Sequence, residues 1–538
     1  MTLTKKIGLA FSSGVLLAAG WPSIGGATPL LFFALVPLFL LERSIYKESL
    51  LENTKSRFLP FVFFTLFTFN SLTTWWVWNA SPEGSIMAIV LNSLFLAIVI
   101  HLAHFTRKKL GPFRGDFALV FFWIAWEYFH LDWDLSWTWL TLGNGLANHP
   151  GIIQWYEYTG VFGGSLWILL SNLFLVHWME KSALHQSKPY HLPGLIFGIK
   201  WLLVIVIPLV ISAFIWSGFE ESPEKIEVVA VQPNIDPYNE KFSGLTSFEQ
   251  VQKMFELANS KTTKTTDFVI FPETAIPQTF DEDVLEDLPE FQVIQKFLSK
   301  YPNTQVIIGA STFYLYGPNE KIPITARTSN GGVKYDNCNT AISISNNSTP
   351  LFYHKSKMVP GVEKIPFPHL LRPIQDLIFD LGGAVGSLGG QDERTVFSSI
   401  SGKNVAPVIC YESVYGEFVG DFINNGAEAI FIITNDGWWK NTPGYKQHAL
   451  YAQLRAIEHR RSIARSANTG ISCFIDQRGV THQATEWWVP DVIKSKIGVN
   501  SELTFYTKYG DIIGRVSLAF GLLLLIFAIS RGLLNKNQ

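Results

Sequence analysis

The feature that most limits this chain is the spacing of its apolar runs and of the charges between them. A helix that crosses a bilayer needs about 20 mostly apolar residues. Runs of that kind lie near 7–22, 28–42, 59–78, 84–105, 116–131, 161–179, 194–217 and 512–530. Lys and Arg gather in every second gap. Lys5 and Lys6 precede the first run; Arg43, Lys47, Lys55 and Arg57 follow the second; Arg107, Lys108, Lys109 and Arg114 follow the fourth; Lys181 and Lys188 follow the sixth. The gaps 23–27, 79–83 and 132–160 contain neither residue. Basic loops stay on the cytoplasmic side. The alternation therefore predicts eight spans in the inner membrane, seven before residue 218 and one after 511, with both termini in the cytoplasm. The segment between them lies in the periplasm. The first run, with "AAG" behind it, also fits a signal peptide, whose removal leaves the orientation of the rest unchanged.

The expected organisation is a membrane domain over 1–217, a periplasmic catalytic domain over 218–511, and an eighth span with a cytoplasmic tail over 512–538. The chain's 538 residues are too many for one ordinary domain. Charged residues make up only 16%, against about 25% in soluble proteins. The net charge of −2 gives nucleic acid no hold. No G-x-x-x-x-G-K-[ST] stretch is present, and ATP is not supplied outside the cytoplasm, so the chemistry must run downhill unaided. Cys338 and Cys473 read as a pair or as core thiols, with core thiols favoured. Cys410 needs its own account.

From residue 226 the periodicity changes. "IEVVAVQPN", "DFVIFPETAIP", "TQVIIGASTF", "NTAISIS", "PLFYHKSK", "NVAPVICYES", "AEAIFIITNDGWW" and "GISCFID" read as strands. Residues 247–260, behind a Ser cap, 283–300 and 444–466 read as helices. Such alternation makes an α/β domain. The polar residues stand where the strands end: Glu273, Lys355, Cys410, Asn435 and Asp436. Reactive groups of α/β sheets collect beyond those ends. A thiol at neutral pH is mostly protonated. It needs a base, a cation that favours the thiolate, and donors for the oxyanion it creates. Glu273, Lys355 and Cys410 supply base, cation and nucleophile.

"FPETAIP", "YHKSKMVPGVEKIPF" and "PVICYES", in that order, resemble the Glu–Lys–Cys motifs of the nitrilase superfamily. The flanking residues resemble its membrane branch, the apolipoprotein N-acyltransferases. Glu363, eight residues after the lysine, and Glu412, two after the cysteine, match two further glutamates of that branch. Gln232, Asn234 and Ile235 match its "Q-x-N-I", and "TNDGWW" resembles its "N-D-x-W". The glycine after Lys355 stands one place earlier than usual, at Gly361, and a family tryptophan is replaced by Phe242. The resemblance implies a nitrilase-like αββα sandwich inserted between the helices of an eight-span membrane domain. It implies a thioester on Cys410, made from a phospholipid such as phosphatidylethanolamine. That acyl chain is passed to the α-amine of a diacylglyceryl-cysteine apolipoprotein, with no metal and no cofactor. The N–H of Tyr411 is the expected oxyanion donor beside Lys355, and Glu363 and Glu412 are expected to support the site. Phe242, Trp139, Asn234 and Asn435 are candidate substrate contacts.

A membrane-tethered amidase shares the triad and is the alternative; an intact triad argues against a transporter or scaffold. The tryptophans of 73–81 and 131–140 read as an interfacial belt. Glu127 is expected to pair across helices. His101 and His104 do not read as a metal site. The arginines at 455, 460, 461 and 465 read as a solvated helix face and as members of ion pairs.

Overall fold

In the computed structural model the described residues are 1–51, 57–183, 192–241, 244–346, 348–368 and 387–534. Lys55, Lys188 and Phe242 lie outside them. The chain separates into two compact units, one made of Met1–Trp78, Pro82–Phe219 and Tyr509–Gln538, the other of Asn79–Ser81 and Glu220–Lys508.

The first unit is helical. Its long helices are α1 (Leu3–Gly20), α2 (Val36–Leu51), α3 (Leu59–Thr74), α4 (Pro82–Leu110), α5 (Pro112–Phe129), α6 (Tyr156–Ala183), α7 (Leu192–Gly218) and, from the end of the chain, one over Ile512–Leu534. Five segments among the described residues are long and apolar enough to cross a membrane: Thr28–Leu51, Pro82–Leu110, Tyr156–Ser182, Leu195–Gly218 and Ile512–Leu534. The last helix packs on α5, and a Cβ at its Gly514 would stand 2.6 Å from the Tyr128 ring, so a small residue sets this approach.

Hydropathy ends the second run at residue 42, but α2 continues to Leu51. Its charges are tolerated because they are paired: Arg43 Nη2 donates to Asp116 at 2.6 Å, and Glu42 lies 2.6 Å from His104 and 3.0 Å from Arg107. Arg43, Lys47, Arg107, Lys108 and Lys109 thus belong to helices rather than loops. Glu127 does pair across helices, by a hydrogen bond with Ser165 of α6, and its Oε1 accepts the Leu142 N–H at 2.8 Å and the Trp123 indole N–H at 3.0 Å. The tryptophans divide. Trp75 and Trp78 are exposed as a belt requires, whereas Trp76 and Trp139 are buried against each other, ring centroids 5.0 Å apart.

The second unit is a two-sheet sandwich. The first sheet holds β1 (Lys225–Gln232), β2 (Phe268–Ile270), β3 (Ile276–Asp281), β4 (Gln305–Leu315), β5 (Arg327–Thr328), β6 (Lys334–Ile344) and β7 (Leu351–His354). The second holds β8 (Phe397–Ser398), β9 (Asn404–Ile409), β10 (Ala429–Thr434), β11 (Ile463–Ala467), β12 (Cys473–Ile475) and β13 (Thr481–His482). The chain then returns through β14 (Asp491–Gly498), antiparallel to β1. The sheet orders are β14-β1-β2-β4-β6-β5, with β3 on β4 and β7 on β6, and β13-β12-β11-β10-β9-β8. In each sheet the central strands are parallel: β1 with β2 and β4, and β9 with β10 and β11.

The inner faces meet through Phe268 and Phe431, ring centroids 5.0 Å apart, and through Ser466, whose hydroxyl donates to the Val231 carbonyl at 2.7 Å. Helices cover the outer faces. On the first sheet lie α8 (Ser247–Asn259) and α9 (Pro289–Lys300), whose Val251, Met254, Phe255, Ile294 and Phe297 join Val229, Val231 and Val269 in one core. On the second sheet lie α10 (Gly416–Asn424) and α11 (Pro443–His459). Parallel strands covered on both faces read as unbroken apolar runs, which is why "VVAV", "FVIF" and "IFII" lack alternation.

The cap of α8 is Thr246, not Ser247: its hydroxyl accepts the Glu249 N–H, and Glu249 accepts the Thr246 N–H at 2.8 Å. The long helix expected over 444–466 stops at His459, where Arg460 turns left-handed with φ 50°. Its arginines are not solvated. Arg455, Arg460, Arg461 and Arg465 are all buried. Arg455 pairs with Glu458 at 2.8 Å and Arg465 with Asp436 at 2.7 Å; Arg460 and Arg461 donate to backbone carbonyls. The helix and the strand after it are covered on all sides, so the charges are met by internal acceptors instead of water. Cys338 and Cys473 are buried free thiols.

Candidate active site

Three segments end at one place. β2 ends at Ile270 and Glu273 follows; β7 ends at His354 and Lys355 follows; β9 ends at Ile409 and Cys410 follows. Each turn is tight. Thr274 has φ 48° and Cys410 has φ 51°, the left-handed region that costs an L-residue about 1–2 kcal/mol. Gly309 on β4 makes room for the first turn, since a Cβ there would stand 2.6 Å from the Pro272 carbonyl and the Thr274 nitrogen.

The Glu273 carboxylate is buried and meets three donors. Oε1 accepts from Asn339 Nδ2 at 2.7 Å and from Lys355 Nζ at 3.2 Å, and Oε2 accepts the Asn435 N–H at 3.1 Å. Burial works to raise its pKa, but Lys355, Asn339 and Lys241 outweigh it and hold Glu273 below the ordinary carboxylate value. Glu273 is therefore ionised and able to accept a proton. Lys355, also buried, donates a second bond to Glu363 Oε1 at 2.7 Å. Burial alone favours the neutral amine. The carboxylates of Glu273 and Glu363 reverse this and raise its pKa well above normal, so it stays charged.

The turn after Lys355 closes despite the displaced glycine. Gly361 takes φ 81°, the Glu363 N–H donates to the Val359 carbonyl at 2.9 Å, and the Val359 N–H donates back to Glu363 Oε2 at 2.9 Å. Glu412 plays a different part. Its Oε2 accepts the Ile409 N–H at 2.8 Å, while Oε1 accepts the Ser356 N–H at 2.7 Å and the Tyr353 hydroxyl at 2.7 Å. It ties the cysteine turn to the lysine turn without touching Lys355. Burial raises its pKa, against those same donors.

Cys410 is partly exposed. Burial of the thiol and the Glu273 charge push its pKa up; Lys355 pulls it down. All three groups thus lie within electrostatic reach of one another. The resting thiol is protonated, beside an ionised carboxylate and a charged amine. That arrangement can transfer a proton to Glu273 as the sulfur attacks a carbonyl.

Of the candidate substrate contacts, Asn435 lies at the centre, with its backbone on Glu273. Its Nδ2 is buried with no hydrogen-bond partner among the described residues. Asn234 has φ 51°, donates its N–H to the Asn468 carbonyl at 2.9 Å, and reaches the Trp488 carbonyl with Nδ2. Trp139 lies in the helical unit, and Phe242 falls outside the described residues. Nothing in the sequence marks Asn339, which sits mid-strand in β6 and bonds Glu273. The same is true of Lys241, which donates to the Glu273 carbonyl at 3.2 Å and to the Thr274 hydroxyl. Burial lowers the Lys241 pKa to about 8, with Glu273 opposing.

Residues 13–174 match the family model of the apolipoprotein N-acyltransferase N-terminal domain, and residues 228–501 match that of the carbon-nitrogen hydrolases. An apolipoprotein N-acyltransferase from Chlorobaculum tepidum is 30% identical over 98% of both chains. Proteins of the same name from Geobacter metallireducens and Thermotoga maritima are each 26% identical, over 94% and 98% of this chain and 91% and 95% of theirs. Among solved structures, an amidase of the nitrilase superfamily from Nesterenkonia AN1 aligns over 56% of this chain and 99% of its own, with 11% identity and a TM-score of 0.36. Two matched family models in series, and a relative 30% identical from end to end, make this chain a member of the apolipoprotein N-acyltransferase family.

Proposed function

We propose that this enzyme moves an acyl chain from a phospholipid to the N-terminal amine of a diacylglyceryl apolipoprotein through a thioester on Cys410. The observation that carries the reading is the buried Glu273–Lys355–Glu363 cluster beside a left-handed cysteine at a strand end. Glu273 takes the thiol proton as the sulfur attacks the sn-1 ester carbonyl. Lys355 and the Tyr411 N–H stabilise the oxyanion. The lysophospholipid alkoxide leaves with the proton from Glu273. The acceptor amine then attacks the thioester, Glu273 accepts its proton, and the thiol departs reprotonated. Conversion of a thioester to an amide is downhill, so no nucleotide is needed.

Glu363 and Glu412 act as supports, the first by orienting Lys355 and the second by joining the two turns. The unpartnered Asn435 Nδ2 supports a substrate contact at that residue. Trp139, Asn234 and Phe242 complete the proposed lipid contacts. Phosphatidylethanolamine is the proposed donor. The test is reaction of the full chain with phosphatidylethanolamine vesicles and a diacylglyceryl-cysteine peptide. Acylated peptide supports the reading; free fatty acid alone would make the enzyme the hydrolase.

The proposed setting is the inner membrane, with eight spans, residues 218–511 in the periplasm and both termini in the cytoplasm. The Lys/Arg-free gaps 23–27, 79–83 and 132–160 support it. In intact spheroplasts an impermeant thiol reagent should label Ser81→Cys and spare Leu51→Cys, whose side chain is exposed at the end of α2. The reverse pattern overturns the orientation.

A further inference from the structure

A second buried cluster stands behind Cys410. His448, on α11, has its Nδ1 3.0 Å from Asp436 Oδ1 and 3.1 Å from Arg465 Nη2; Arg465 in turn donates to Asp436 Oδ2 at 2.7 Å. The Thr434 hydroxyl donates to Asp436 Oδ1 at 3.0 Å. All three charged or titratable side chains are buried. The other ring nitrogen faces the nucleophile's backbone: Nε2 lies 3.2 Å from the Cys410 carbonyl oxygen and 3.0 Å from Ser413 Oγ, which itself donates to that carbonyl at 2.7 Å. A carbonyl only accepts, and the Ser413 proton is already committed to it, so the network assigns a hydrogen to Nε2. The Cys410 carbonyl is therefore gripped by two donors, one of them anchored by a buried ion pair.

We infer that His448, backed by Asp436 and Arg465, is a positioning residue that aims the oxyanion donor. The inference rests on Cys410 being the nucleophile. The peptide between Cys410 and Tyr411 is planar and trans. Its C=O and the Tyr411 N–H therefore lie on opposite edges of one rigid plane, and whatever fixes the carbonyl fixes the N–H. Cys410 sits in a left-handed conformation that an L-residue does not favour by itself. The two grips hold it there. Released, the plane rotates about its flanking torsions and the N–H leaves the position where the oxyanion forms. The thiol, its neighbour Glu273 and the Lys355 charge are not part of this grip; the Asp436 charge does raise the thiol's pKa, but it is kept in the His448 and Ser413 variants, so alkylation reads the thiolate apart from the grip.

That separation is measurable with two reagents on the full chain in detergent. Butyryl transfer from p-nitrophenyl butyrate to Cys410 forms a sulfur–carbonyl bond, passes through an oxyanion and releases p-nitrophenolate. Alkylation by iodoacetamide forms a bond to saturated carbon, releases iodide and involves no oxyanion. Peptide mass spectrometry reads both adducts at Cys410. In His448→Ala the acylation rate should fall about 10²-fold, the scale of one oxyanion donor, while alkylation stays within about threefold of the unaltered rate. His448→Gln, which restores an N–H donor at that reach, should recover most of the loss. Ser413→Ala keeps the imidazole and removes one grip, so it carries the test even where loss of the buried ring impairs folding; it should slow acylation several-fold and leave alkylation alone. Equal loss of both reactions, or no loss of acylation, in Ser413→Ala and in whichever His448 variants fold overturns the inference. Absence of both adducts from Cys410 in the unaltered protein removes the nucleophile assignment itself.

Discussion

The two units of the molecule each bury a network of charge, and the two networks are built to different ends. In the helical unit, Arg43 and Arg107 meet Glu42 and Asp116. His104 adds a contact to Glu42, and His177 lies 3.0 Å from Asp116. Glu180, 3.8 Å from Arg43 and 3.2 Å from Lys47, extends it, so three cations face three carboxylates, and the partners come from α2, α4, α5 and α6. Every charge is answered within the network, and what it does is lock four helices together. In the sandwich unit, Lys355 bonds two carboxylates, Glu273 and Glu363, with a thiol beside them, and Lys241 adds a second amine whose pKa burial lowers to about 8. Its cations hold Glu273 ionised, able to accept a proton from Cys410. The first cluster's partners meet only one another; the second stands beside a nucleophile.

The contrast can be broken most sharply at the thiol. Cys410→Ala should abolish acyl-enzyme formation altogether. Cys338→Ala and Cys473→Ala should leave it intact; both are buried, and burial holds the Cys473 thiol up at about 11, far from reactive. An acyl adduct persisting in Cys410→Ala, read by mass, would dissolve the functional half of the comparison.

On the structural side, Arg107→Met takes one cation from both Glu42 and Asp116, leaving Glu42 with His104 and Asp116 with Arg43 and His177. Breaking a buried pair costs about 3–5 kcal/mol, which should appear as a large drop in the thermal midpoint. Iodoacetamide should still label Cys410 at the normal rate while the variant remains folded. If that rate falls with the midpoint unchanged, the helical network is not merely structural.

At Lys355 the effect should be chemical instead. Lys355→Met should slow acylation by about 10²–10³-fold. It should also move the alkylation pH profile. The Cys410 thiol titrates above its ordinary value, raised by burial and by Glu273 and lowered by Lys355. Removing the ammonium takes away a lowering influence, so the midpoint for thiolate moves up. Glu273→Gln takes away a raising influence, so its midpoint moves down, even as acylation at neutral pH slows for want of a base. Midpoints moving the same way in both variants would contradict the separate roles of base and cation.

The smallest effect belongs to the partly exposed pair of Lys6 and Glu48 at 2.6 Å, in the same helical unit. Lys6→Ala should shift stability by less than about 1 kcal/mol, because solvent screens such pairs. A loss as large as that of Arg107→Met would mean that burial is not what distinguishes the inner network.

The sequence was most legible where chemistry needs a residue type at a strand end. Glu273, Lys355 and Cys410 each follow an apolar run, and each is where that run predicts. It was least legible where a role depends on what the fold brings from elsewhere. Asn339 is an ordinary mid-strand residue until β6 sets it against Glu273. His448 is one polar residue of a helix until α11 lays it on the Cys410 carbonyl. The four arginines from 455 to 465 read as solvated because charge alone says so, and only the covering elements make them internal. The same holds for α2, where hydropathy stops at Glu42 although the helix runs on, its charges paired by residues more than 60 positions away.

The proposed acyl-enzyme on Cys410 is tested by the intact mass of the full chain after incubation with phosphatidylethanolamine vesicles, followed by addition of a diacylglyceryl-cysteine peptide. The expected result is a gain of one acyl group, located on Cys410 by peptide mapping, and its disappearance as the peptide becomes N-acylated. No adduct, an adduct on another residue, or an adduct that decays only to free fatty acid would contradict it.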